Sequence, residues 1–159
     1  MQLLIVAKRP LAGRAKTRLI PRFGPEGSAA LAAAALDDTF AAARACGADQ
    51  VVVAFDGDPT GVVPAAFDVV PQVAGDLAAR LADAWRHVDG PALQIGMDTP
   101  QVTGADLDDA FAALDRPGTD AVLGLAADGG GWAIGLHEPA HPFHGIETTR
   151  HDARRRQEM

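Results

Sequence analysis

The fold is decided by a stretch near the start of the chain, QLLIVAKRPLAGRAKTR at residues 2–18. Its first part, Leu3–Ala7, is a short apolar run that predicts a buried strand. The residues that follow include Pro10 and Gly13, which favour a loop leaving the C-terminal end of that strand. Open α/β sheets bind ligands at the C-terminal ends of their strands, so this loop is a candidate binding site.

The loop is strongly cationic although the protein is acidic. Six of the fourteen basic residues lie between Lys8 and Arg22, whereas the net formal charge is -7. The charge favours an anion site, and a solvated basic loop is the alternative. A P-loop ATPase is unlikely on the pattern, because Ala15 and Pro10 stand where that motif requires glycine.

Length and composition indicate one domain, residues 1–159, with 48% hydrophobic residues to form its core. Cys46 is the only cysteine, so an internal disulfide is excluded. We expect a cytoplasmic protein, since the start of the chain lacks the pattern of a signal peptide and no apolar stretch is long enough for a bilayer. The basic run 154–156 lacks an aromatic stacking set, so no nucleic-acid partner is predicted.

Short apolar runs alternate with helical patterns, an order that implies a parallel sheet with right-handed crossovers. Helices are predicted for Ser28–Cys46 with Gly47 at C′, for Asp76–Val88, and from a capping box at Thr103 to about Leu114. The run Trp132–Leu136 is predicted as a hairpin-like return or antiparallel strand. Buried parallel strands are predicted at Gln2–Ala7, Gln50–Phe55, Phe67–Val70, Ala92–Met97 and Asp120–Leu125.

A carboxylate follows one of these strands, in the sequence Gly96-Met97-Asp98-Thr99-Pro100. One aspartate in that place can hold Mg²⁺ or Mn²⁺, because such a cation takes its other ligands from water and substrate phosphates. A turn cap beside Pro100 is the alternative. A nucleotide diphosphate needs both cations and a metal, so the basic loop and Asp98 support one another.

Two further stretches carry weaker signals. In Asp128-Gly129-Gly130-Gly131 the bare backbone would let a sugar or phosphorylated substrate lie close, and a simple turn is the alternative. The stretch Gln72–Arg80 begins a helix at Gly75-Asp76-Leu77, which on its own is an ordinary helix N-terminus.

Taken in order, these motifs resemble a poorly characterised, glycosyltransferase A-like family of nucleotide-diphospho-sugar transferases. The family is related to molybdenum-cofactor guanylyltransferase and 2-phospholactate guanylyltransferase, and the resemblance covers almost the whole chain. It implies an α/β fold: a Rossmann-like three-layer sandwich with a mostly parallel central sheet. The motifs are Lys8-x-Pro10-x-x-Gly13-x-x-Lys16-Thr17-Arg18-Leu19, Gly75-Asp76-Leu77-x-x-Arg80-Leu81, Gly96-x-Asp98-x-Pro100, Asp128-Gly129-Gly130 with Gly135-Leu136, and Phe143-x-Gly145-Ile146.

The resemblance also implies roles for individual residues. Asp98 would hold Mg²⁺ or Mn²⁺ and act with Lys16 in catalysis. Asp128, Gly129 and Gly130 would face the second substrate. The nucleotide would be bound by Lys8, Gly13, Lys16, Arg18 and Asp76.

The leading hypothesis is transfer of a glycosyl group from a nucleotide sugar to an unknown small-molecule acceptor. Two alternatives stay open: nucleotidyl transfer from a nucleoside triphosphate with release of pyrophosphate, and a nucleotide-binding module without turnover. Gly131 and Glu147 depart from the family pattern, and relatives continue for several further elements beyond Gly145. We therefore expect a C-terminally shortened acceptor side and a tendency to form a homodimer through uncovered apolar surface.

Overall fold

One six-stranded sheet organises the protein in the computed structural model, which describes residues 1–127 and 129–139. Its strands lie side by side in the order β3-β2-β1-β4-β6-β5. They are β1 (Gln2–Lys8), β2 (Gln50–Asp56), β3 (Asp68–Pro71), β4 (Ala92–Gly96), β5 (Ala121–Leu125) and β6 (Gly131–Leu136).

Strand β1 lies at the centre of the sheet and pairs in parallel with both β2 and β4. Leu3, Leu4 and Ile5 are 0% exposed, as expected for a strand that is covered on both faces. Parallel pairing brings the C-terminal ends of β1, β2 and β4 to one edge of the sheet, where Lys8 and Gly96 end their strands.

The last two strands complete the sheet in antiparallel pairs. Strand β6 runs antiparallel to β4 and to β5, which confirms the prediction for Trp132–Leu136. The prediction that Asp120–Leu125 is a buried parallel strand was wrong. Strand β5 pairs with β6 alone among the described residues, and Leu123 and Leu125 are 60% and 73% exposed. An apolar run looks alike in both settings, whereas an antiparallel edge strand can leave one face in solvent.

Three α-helices occur in the described residues: α1 (Ile20–Ala45), α2 (Leu77–Trp85) and α3 (Gly104–Leu114). Helix α1 begins eight residues before the predicted Ser28, but Gly24 breaks it with φ 72° and ψ 170°. It ends at Ala45, and Gly47 does not adopt the left-handed conformation expected of a C′ glycine. Helix α2 is shorter at its end than predicted.

The helices cover the sheet in three layers, which confirms the predicted sandwich. Helices α1 and α3 pack on one face, around residues such as Phe40 and Leu107, and α2 packs on the other through Trp85. The predicted capping box is present, with Thr103 and Asp106 each bonding the other's backbone N–H. No helix in the described part of the chain has the length and apolar character needed to cross a membrane.

Candidate nucleotide-binding site

A cleft of about 780 Å³ opens at the edge of the sheet where β1 and β4 end. Its walls come from the loop after β1, from the first residues after β4, from α2, and from the β5–β6 pair. Of the predicted site residues, the cleft is lined by Lys8, Lys16, Arg18 and Asp98. The position agrees with the general rule for open α/β sheets.

The basic loop is a compact turn held by its own backbone. The N–H groups of Arg14 and Ala15 both donate to the Leu11 carbonyl at 3.0 Å. Ala15 is 1% exposed and anchors the loop in the core, and Gly13 takes φ 77°. Lys16 follows with φ 47°, a left-handed conformation that is costly for a residue with a Cβ. The backbone of the loop therefore fixes the position from which the Lys16 side chain projects.

Lys16 and Asp98 form an ion pair across the cleft. The Lys16 side chain is 18% exposed and the Asp98 side chain is 62% exposed. Beside them, the Lys8 N–H at the end of β1 donates to the Met97 sulfur at 3.3 Å, so the end of β1 also contacts the segment after β4. The structure thus brings together the cationic loop and the carboxylate that sequence alone could only place at separate strand ends.

Gln72 and Arg80, the two ends of the stretch named above, form a second polar group in the cleft, and neither was predicted as a site residue. The Gln72 carboxamide nitrogen donates to the carbonyls of Ala7 and Ala54, at 2.7 and 2.8 Å. Its oxygen accepts from the Arg80 guanidinium, with the Nε bond at 2.8 Å. Gln72 thereby ties β1 and β2 to α2 and holds Arg80 at the cleft wall. Gln72 could not be predicted as a site residue from its type, because a glutamine that follows an edge strand is usually solvated.

Trp132 forms the opposite wall at an irregularity between β5 and β6. Gly124 pairs with Ala133 and Leu125 pairs with Gly131, so Trp132 is an extra residue in its strand. Such bulges redirect a side chain and are frequent beside active sites. The indole lies against Gly124, where a Cβ would be 2.5 Å from the ring. The sequence predicted Trp132 only as the first residue of the strand Trp132–Leu136.

The remaining predicted residues stand outside the cleft lining. Asp76 is the N-cap of α2 and accepts a hydrogen bond from the Ala79 N–H at 2.8 Å. Gly13 shapes the basic loop, and Gly129 and Gly130 form an exposed turn before β6. Asp128 lies outside the described residues, as does the predicted Phe143–Ile146 motif.

The donors at the end of β4 fit a hard divalent cation with few protein ligands. The Asp98 carboxylate is exposed to the cleft, and the Thr99 hydroxyl group belongs to a residue of the same lining. The described residues contain no cluster of three or more His, Cys, Asp or Glu side chains that could enclose a metal. A cation held here would draw its other ligands from water and a bound phosphate, as Mg²⁺ and Mn²⁺ do.

Cysteine chemistry is not supported. Partial burial raises the pKa of the Cys46 thiol, which reduces the thiolate available for attack. Its Sγ donates to the Ala43 carbonyl at 3.3 Å, as expected of a packing residue at a helix end.

The fold is that of nucleotide-diphospho-sugar transferases. A Desulfovibrio desulfuricans G20 protein provisionally assigned to that class has a TM-score of 0.79 at 24% identity, over 96% of this chain and 71% of that one. Rv0371c of Mycobacterium tuberculosis H37Rv, in complex with manganese, has a TM-score of 0.54 at 24% identity, over 84% and 69%. A nucleotidyl transferase of Methanothermobacter thermautotrophicus has a TM-score of 0.55 at 23% identity, over 79% and 62%.

The chain belongs to the family described as "Uncharacterized protein conserved in bacteria" (DUF2064), whose model matches residues 29–150. The match includes Asp98 and begins after the basic loop. No curated protein matches the chain. At these identities the similar structures establish the fold, and the activity has to be argued from the cleft.

Proposed function

We propose that this protein is a metal-dependent transferase that binds a nucleotide in the cleft and transfers a glycosyl group to a small-molecule acceptor. The observation that carries the proposal is the contact between Lys16 and Asp98. A cation that could bind phosphate and a carboxylate that could bind a metal are in contact here, in the segments that follow two adjacent parallel strands, which supports the proposal. A nucleotide diphosphate needs both groups at once.

The residues of the cleft divide the work of binding and charge stabilisation. Lys8, Lys16 and Arg18 line the phosphate side and would neutralise the diphosphate. Asp98 would hold Mg²⁺ or Mn²⁺, which when bound stabilises negative charge on the departing phosphates.

In the proposed reaction, an acceptor hydroxyl oxygen bonds to the anomeric carbon of the sugar. The bond from that carbon to the diphosphate breaks, and its electron pair leaves with the diphosphate. The hydroxyl proton passes to solvent. Lys16 would contact the phosphate oxygens on which charge develops, and is therefore the residue of the loop with the largest expected effect on the rate.

Nucleotidyl transfer is a second candidate, and the charge of the cleft favours it. The lining contains Lys8, Arg14, Lys16, Arg18 and Arg80, against Asp98 as its carboxylate. This excess of positive charge suits a triphosphate better than a sugar diphosphate, because a triphosphate carries more negative charge. Attack of an acceptor oxygen on the α-phosphorus would then release pyrophosphate.

One assay separates these reactions. The protein is incubated with Mn²⁺ and a panel of nucleotide sugars and nucleoside triphosphates, with mixed small-molecule acceptors, and released nucleoside diphosphate is measured against released pyrophosphate. Asp98→Asn should abolish release, whereas the matched variant Asp109→Asn should not, because Asp109 is exposed on α3 away from the cleft. Metal-dependent binding without either product would identify a nucleotide-binding module, and no nucleotide binding would refute the proposal.

A further inference from the structure

The two sides of the cleft differ in charge. Every cationic residue of the lining comes from the end of β1, from the loop after it, or from α2. The residues that β5 and β6 contribute carry no charge: Leu123, Gly131, Trp132, Ala133 and Ile134. The cationic side attracts phosphates. A ligand group on the uncharged β5–β6 side would gain little binding energy from carrying a negative charge.

Trp132 is presented to the cleft by two independent features of the backbone. As the extra residue of the bulge, it is turned from the direction that regular alternation would give it. Its ring then lies over Gly124, and a Cβ there would be 2.5 Å from Cε2 and 2.6 Å from Nε1. A glycine in a strand is often a place where another group must approach closely. The strand pair is therefore shaped to hold a flat ring at the cleft.

Within the described part of the chain, the indole N–H also has no acceptor. The other tryptophan, Trp85, is 1% exposed, and its Nε1–H donates to Gln94 at 2.6 Å. The Trp132 Nε1–H donates to no group among residues 1–127 and 129–139. A flat apolar face with one hydrogen-bond donor at its edge suits a ligand that has an apolar face and hydroxyl groups at its rim.

We propose that the β5–β6 side of the cleft, at Trp132, is a subsite for an uncharged, hydroxylated ring such as a sugar. The ring packs its C–H face on the Trp132 indole, and one hydroxyl oxygen accepts from Nε1–H. This inference rests on the proposed function, because it places the ring beside a nucleotide bound at the cationic side. The ring belongs either to the nucleotide sugar or to a free acceptor.

The test compares nucleotides with and without a sugar. With Mn²⁺ present, titration calorimetry measures UDP against UDP-glucose and GDP against GDP-mannose. Free methyl glucoside and glucose 6-phosphate are titrated separately onto the protein saturated with each diphosphate or with GTP. In Trp132→Leu, affinity for the sugar-bearing probe should fall about three- to tenfold while affinity for the plain diphosphate is unchanged. Leu125→Ser is the matched control, because Leu125 is exposed on the same strand pair and does not line the cleft.

A second measurement does not depend on the stability of one variant. The chain has two tryptophans and no tyrosine, and Trp85 is buried, so sugar-induced quenching of the wild-type fluorescence reports on Trp132. Gly124→Ala, which displaces the ring, should remove both the quenching and the sugar affinity.

A sugar effect confined to nucleotide sugars identifies the donor sugar as the ring. An effect with free methyl glucoside identifies an acceptor. The proposal is overturned if the sugar adds no affinity, if Trp132→Leu weakens plain diphosphates equally, or if glucose 6-phosphate binds better than methyl glucoside. Failure to bind any diphosphate with Mn²⁺ would instead refute the proposed function.

Discussion

Replacing Lys16 by methionine should strengthen the binding of Mn²⁺ to the nucleotide-free protein. In the structure the Lys16 ammonium group is paired with the Asp98 carboxylate, so a metal that binds this carboxylate has to displace the ammonium group. Methionine keeps the apolar stem and removes the charge, which leaves the carboxylate available. If the basic loop were only solvated and did not pair with Asp98, removing the Lys16 charge would not increase the affinity for the metal in this way.

The magnitude follows from the exposure of the pair. Two unit charges about 4 Å apart interact by about 1 kcal/mol in water and about 4 kcal/mol near a protein surface. Asp98 is 62% exposed, which places the pair toward the weaker limit. Exposed ion pairs contribute about 0.2–1 kcal/mol. We therefore expect Mn²⁺ to bind about 1.4- to fivefold more tightly to Lys16→Met than to the wild-type protein.

With a nucleotide present, the same substitution should act in the opposite direction. In the proposed function Lys16 would then contact phosphate, and its loss should weaken binding of the metal–nucleotide complex by about 1–3 kcal/mol. Free Mn²⁺ can be followed by electron paramagnetic resonance, and nucleotide affinity by calorimetry. Arg18→Gln is the control, since it removes one cleft charge that forms no ion pair with Asp98. The reasoning is refuted if Lys16→Met binds Mn²⁺ no more tightly than Arg18→Gln does.

Three other predictions test the site and the fold. Asp98→Asn should abolish the Mn²⁺ dependence of nucleotide binding in calorimetry and change the free energy of unfolding by less than about 0.5 kcal/mol, because the side chain is exposed; a persisting metal dependence would remove Asp98 from the site. Gly104→Ala should destabilise the protein by about 1–3 kcal/mol in urea unfolding, since its Cβ would lie 2.8 Å from Ala45, and unchanged stability would contradict this close helix packing. Hydrogen bonds from the side chain and then the backbone of Thr103 lower the pKa of Asp106, so their stabilisation is present above the unfolded-state pKa and is lost as pH falls through the folded-state pKa. Asp106→Asn should flatten the acid side of a plot of unfolding free energy against pH, and an unaltered slope there would argue against this linkage.

Much of the fold was predictable because local signals and burial agree. Strand β1 is apolar on both faces and is followed by Pro10 and Gly13, so its type and its end are both marked in the sequence. The capping box at Thr103 likewise fixes where α3 begins. Strand β5 was misjudged because Leu123 and Leu125 are exposed although leucine usually is not. Whether an apolar strand is covered depends on which elements pack against it, and this is not encoded locally.

The candidate site was predictable in its charges and not in its contacts. Lys16 and Asp98 were expected at strand ends, but their pairing depends on the strand order, in which β4 lies directly beside β1. Gln72 and Trp132 escaped assignment to the site for a different reason. The first acts through hydrogen bonds to two distant carbonyl groups, and the second through a bulge one residue long. Neither the long-range hydrogen bonds of Gln72 nor the bulge at Trp132 leaves a recognisable motif in the sequence.

The central position of β1 also has a consequence for how the protein is made. Its partner β2 begins about 50 residues after it, whereas its other partner, β4, begins about 90 residues after it. At about 5–20 residues per second, a ribosome needs several seconds to add that length. During this interval one side of β1 has no partner strand, and the nascent chain exposes an apolar edge. Nucleotide affinity should therefore emerge abruptly during synthesis, once β4, with Asp98 in the loop that follows it, docks against the first strand of the chain.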